Sequence, residues 1–220
     1  MKNQSISPKT FCILSGISGI AGVLMIGISF NINPGPPPGA STDQLIAFGR
    51  QYYNSILWGA WLQAVGPFFI TLFAFALVIL AGAQNRLSGW ATFFGATVLM
   101  MVSLIEITFY IAVMFDNPQV GHLISMNIIS AVQHLYFIIA APAFFMPLGI
   151  VLLGSEVLPR IFGYLAVLIG AAFFILGIVF LLNLVLPFWV TAFAGVQAFW
   201  WLAAAITLIV KAGKMSYPKN

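Results

Sequence analysis

Glu106 lies inside a long apolar run, Phe93 to Phe115, whose length suffices to cross a bilayer. A carboxylate at that depth costs on the order of 3 kcal/mol on insertion scales, and such a group faces a partner or a cavity rather than lipid. Ser103, Glu106 and Tyr110 follow i, i+3, i+7 spacing and share one helix face. Asn127, Ser130 and His134 repeat that spacing in the next apolar run. A short loop joins the two runs, so they are antiparallel. Folding the chain about position 119 or 120 sets Tyr110 beside Asn127 and Ser130, and Glu106 beside Ser130 and His134. At about 1.5 Å per residue, Glu106 and His134 each lie roughly 20 Å from the fold point, near the midplane. The expected partner of Glu106 is therefore His134. Gln63 and Gln197 are expected in the same outer-to-middle layer, enclosing a small polar chamber that opens outward. Gln133 lies roughly 100° around the helix from His134 and is expected to meet a different neighbour.

Two accounts suit this cluster. Glu106 and His134 can bind or relay a proton while the chamber holds a small solute. Alternatively the cluster is interhelical glue, worth only about 0.6 kcal/mol per hydrogen bond in membranes. Serine and glutamine do that task without the cost of a carboxylate, which moves weight toward function. Other chemistries lack their residues. There is no Gly-rich phosphate loop, no HExxH and no paired Cys. Cys12, Glu106 and His134 are too few and too scattered for zinc. His122 lies at the exterior edge, well away from His134, so bis-histidine haem is not expected. No buried Lys offers a retinal Schiff base. Ser103 or Ser130 beside His134 has no nucleophile elbow around it. No cofactor and no metal are expected. The first reading is a transport-like or ligand-binding protein. The alternatives are a structural or accessory subunit and an intramembrane lipid-modifying enzyme, the balance leaning away from an enzyme.

The elements that position these residues follow from composition. The chain is 62% hydrophobic and 5% charged, with a mean hydropathy of +1.08. Soluble domains carry about 25% charged residues, and 220 residues cannot hide so much apolar surface from water. The expected fold is all-α: a polytopic membrane bundle, one integral membrane domain over residues 1–220, with about six transmembrane helices. The spans are expected near 11–30, 57–81, 91–115, 123–153, 161–182 and 188–210. Pro142 and Pro147 predict a kink or an early end in the fourth. The weakest boundary is the apolar break near Asn183 to Pro187.

Lys2, Lys9, Arg86, Arg160, Lys211, Lys214 and Lys219 fall on one side of such a bundle, and only Arg50 on the other. That bias predicts cytoplasmic N and C termini in a bacterial-type inner membrane. No A-x-A-like cleavage site follows span one, which is expected as a retained helix. Ser41-Thr-Asp-Gln44 reads as a capping box opening a short extracytoplasmic interfacial helix, or an extended start of span two. Gly16, Gly19 and Gly22, and Gly163, Gly170 and Gly177, form small-residue faces. Such faces dock helices of the same chain or of a second protomer. Trp61, Trp200 and Trp201 are expected in the core or against lipid. Ala64–Leu72 resembles Ala140–Leu148, and Arg86–Trp90 resembles Arg160–Tyr164, which suggests two related hairpins. The expected partners are the lipid bilayer and an unidentified small molecule, with no nucleic acid.

Overall fold

The computed structural model describes residues 7–33, 40–115, 128–129, 131–181 and 187–213. Among them there are seven helices and no strand. Helix α1 is Pro8–Ile32, α2 Thr42–Gln51, α3 Tyr53–Leu80, α4 Leu87–Phe115, α5 Ala131–Leu153, α6 Arg160–Leu181 and α7 Pro187–Gly213. All but α2 are long and apolar enough to span a membrane. The chain is an integral membrane protein, and helices are what lipid demands, because a helix satisfies its backbone hydrogen bonds within one segment. The six spans match the expected six to within a few residues wherever they are described.

Local chemistry sets the helix starts. Ser7 caps α1 by accepting from the Thr10 N–H at 3.2 Å, with Pro8 in the first turn, where its missing N–H costs nothing. The expected capping box opens α2. Ser41 Oγ accepts from Gln44 N, and Gln44 Oε1 accepts from Ser41 N at 2.9 Å. Only Tyr52 separates α2 from α3.

Contacts between spans close a ring in the order α1, α3, α4, α5, α6, α7, with α3 also touching α5 across it. The glycine faces are taken up inside this ring. Gly16 lies against Ala205 and Ile209 of α7, and Gly22 against Gly66 and Ile70 of α3. Gly163, Gly170 and Gly177 all back onto α5. Helices of the same chain pack against both faces. Ser18 Oγ and Ser29 Oγ donate to the Phe69 and Gly59 carbonyls at 2.9 and 2.8 Å, tying α1 to α3.

The ring encloses an aromatic core of Phe73, Phe144, Phe145, Phe173, Trp200 and Trp201. Phe144 stacks on Trp201 with centroids 5.2 Å apart. Trp200 Nε1 donates to the Phe162 carbonyl at 3.0 Å, joining α7 to α6. Trp61 is half exposed and packs edge-on against Trp58. Phe94, Leu168 and Phe199 stay more than 60% exposed, as side chains that meet lipid do.

Prolines shape the two helices that flank α4. Pro142 has no N–H for the Ile138 carbonyl, and its ring crowds that carbonyl. The turn before it widens: Tyr136–Ala140 is π-helical, and Ala141 N bonds back to the Tyr136 oxygen. The helix then runs on through Pro147 to Leu153, so the early end expected there does not occur.

Candidate functional site

The site begins with a backbone defect in α3. Pro67 lies inside that helix and lacks the N–H that would bond the carbonyl four residues earlier, at Gln63. Ser103 of α4 supplies the missing donor, its Oγ donating to the Gln63 oxygen at 2.9 Å. That bond holds α3 and α4 in register one turn from Glu106.

Glu106 is 9% exposed and Gln63 8%. Gln63 Nε2 donates to Glu106 Oε2 at 2.9 Å. Gln133 Nε2, from α5, donates to Glu106 Oε1 at 2.7 Å. One carboxyl thus ties three helices through two neutral amides. The described residues bring no lysine or arginine into the cluster: Arg86, Arg160 and Lys211 lie at helix ends, Lys9 in the first turn of α1, and Arg50 on α2. Tyr110 lies one turn further along the Glu106 face and is partly buried.

Of the residues expected at the site, Gln63, Ser103 and Glu106 come together. Asn127 and Ser130 lie outside the described residues. Two expectations change. The α5 partner of Glu106 is Gln133, while the His134 ring packs edge-on against Phe180 of α6, centroids 5.5 Å apart. Gln197 joins a different pair, its Oε1 accepting from the Tyr136 hydroxyl at 2.5 Å. The π turn accounts for the first change. A straight α-helix puts His134 two turns before Ala141 on one face. The i→i+5 turn inserts one extra residue between them, so Gln133 takes the place a straight helix gives to His134. The residue that meets Glu106 is thus the sequence neighbour of the one expected, about 100° around the helix from it. Gln133 is the residue that sequence reasoning passed over. Pro142, nine residues after Gln133 and just beyond the π turn, is the sequence feature that accompanies the shift.

The arrangement suits reversible protonation. A carboxylate accepts from both amides as found. A glutamine amide carries donor and acceptor on one planar group, so a half-turn lets it accept from a protonated Glu106 instead. The two amides can therefore offer Glu106 donors when it is charged and an acceptor when it is neutral. Among the described residues, no group of His, Cys, Asp and Glu could hold a metal ion. No family model, curated protein or solved structure matches this chain, so its own residues carry the functional reading.

Proposed function

We propose that this is a small transport-like or ligand-binding membrane protein in which Glu106 takes up and releases a proton, coupled to a small solute in an outward-opening polar chamber. The observation that carries this reading is a buried carboxyl, inside the spans, bonded by two neutral amides. Its position supports outward access. Glu106 is roughly 14 Å from the Phe115 end of α4 and roughly 28 Å from the Leu87 end, at 1.5 Å per residue. The Leu87 end adjoins Arg86 on the basic side. That basic side is the cytoplasmic one in this reading, with both termini there, in a bacterial-type inner membrane.

The test is proton movement in proteoliposomes loaded with a pH-sensitive dye. Wild-type protein should dissipate an imposed pH gradient faster than empty vesicles. Glu106→Gln, which keeps shape and hydrogen-bonding capacity, should abolish the difference. Equal rates for the two proteins would sink the proposal.

A structural or accessory role is the second reading, favoured by the way one carboxyl joins α3, α4 and α5. It predicts that Glu106→Gln behaves as wild type in every assay except stability.

A further inference from the structure

At the opposite end of the bundle the basic residues converge. Arg160, the first residue of α6, and Lys211, in the last turn of α7, line a cleft of about 630 Å³ with Leu153, Glu156 and Leu158. Arg86 reaches in from the α3–α4 turn, its guanidinium 3.7 Å from where a Cβ on Gly154 would sit. Glu156 is the one acid lining the cleft. Lys211 Nζ donates to the Glu156 main-chain carbonyl, which fastens the α5–α6 loop to the end of α7 and leaves further ammonium hydrogens free to donate. Leu158, 2% exposed, forms an apolar floor.

Three features together define the ligand. The cleft lies where the apolar spans α5 and α7 end and α6 begins, and the ends of membrane spans are where lipid headgroups are met. Its volume falls in the range of about 300–1,000 Å³ typical of small-molecule sites. Two cations, Arg160 and Lys211, line it against one carboxylate, with Arg86 close to Gly154 at its edge, and arginine offers planar, bidentate recognition of phosphate oxygens. A general preference for basic residues on one side of a membrane explains their side but not their convergence on one concavity. We propose that this cleft binds the phosphate group of an anionic phospholipid, with Arg160 and Lys211 as its principal contacts and Arg86 at its rim.

The test is native mass spectrometry of the purified full chain, titrated in detergent with phosphatidylglycerol or phosphatidylcholine. Phosphatidylglycerol should bind preferentially. Arg160→Gln and Lys211→Gln should each weaken it about fivefold, the effect of one cation beside an anionic headgroup. Lys9→Gln, on the same side but outside the cleft, should leave binding unchanged. Equal retention of the two lipids by wild-type protein overturns the proposal and needs no variant that might misfold. Displacement of phosphatidylglycerol by an equal concentration of inorganic phosphate overturns the lipid assignment. An equal loss in Lys9→Gln reduces the effect to general surface charge and overturns the site.

Discussion

Two prolines create the same defect in neighbouring helices, and the molecule resolves it in two ways. Pro67 frees the Gln63 carbonyl of α3, and Pro147 frees the Ala143 carbonyl of α5. At Gln63 a hydroxyl from α4 donates into the gap, and a carboxyl one turn further joins the same residue's side chain. At Ala143 no hydroxyl of the described residues arrives. Gly95 of α4 instead brings its backbone so close that a Cβ there would lie 2.2 Å from the freed oxygen. The Ala143 solution needs only close packing. The Gln63 solution assembles Ser103, Gln63, Glu106 and Gln133. The two prolines thus leave the same kind of backbone defect, met once by polar side chains and once by close backbone packing.

That contrast can be broken by substitution. The largest effect is expected at the packed carbonyl. Gly95→Val forces backbone apart and should cost about 3 kcal/mol, read as a large fall in thermal-unfolding midpoint in detergent. Gly27, with open space around it, should accept Ala with little change. Next comes Glu106→Ala, which leaves the Gln63 and Gln133 amides without their acceptor and should cost about 2 kcal/mol. Glu106→Gln should be nearly neutral in the same assay, so a loss as large as that of Ala would show that charge itself holds the bundle. A smaller loss is expected for Ser103→Ala, about 0.6 kcal/mol. It sharpens the comparison through a double-mutant cycle. In a Pro67→Ala background the restored N–H satisfies the Gln63 carbonyl, so removing the Ser103 hydroxyl should then cost almost nothing. An unchanged penalty would mean that Pro67 does not create the need for Ser103.

Much of this was legible before any coordinates. Run length and the scarcity of charge define six spans, because lipid leaves few alternatives to a helix of about 20 residues. Glu106 stood out because a carboxyl is costly in that medium, and antiparallel folding set its depth. Rotation about the α5 axis was not legible from spacing alone. One extra residue in the π turn ahead of Pro142 exchanges His134 for Gln133, and straight-helix periodicity carries no trace of it. Gln197 was misplaced for a related reason. Spacing gave it a layer but not a partner, which depends on how α7 faces α5, where Tyr136 meets it. The glycine faces were recognisable as packing surfaces, yet only the closed ring showed that helices of this chain pack against them.

The central claim is that Glu106 exchanges a proton while held by two amides. Infrared difference spectroscopy between acid and alkaline buffers, on the folded protein in lipid, tests it most directly. The account predicts a carboxyl band that appears and disappears with pH, is absent in Glu106→Gln and shifts in frequency in Gln133→Leu, where one amide partner is gone. Asp43, Asp116 and Glu156 contribute carboxyl bands of their own, so the contradicting result is a wild-type carboxyl difference spectrum identical to that of Glu106→Gln.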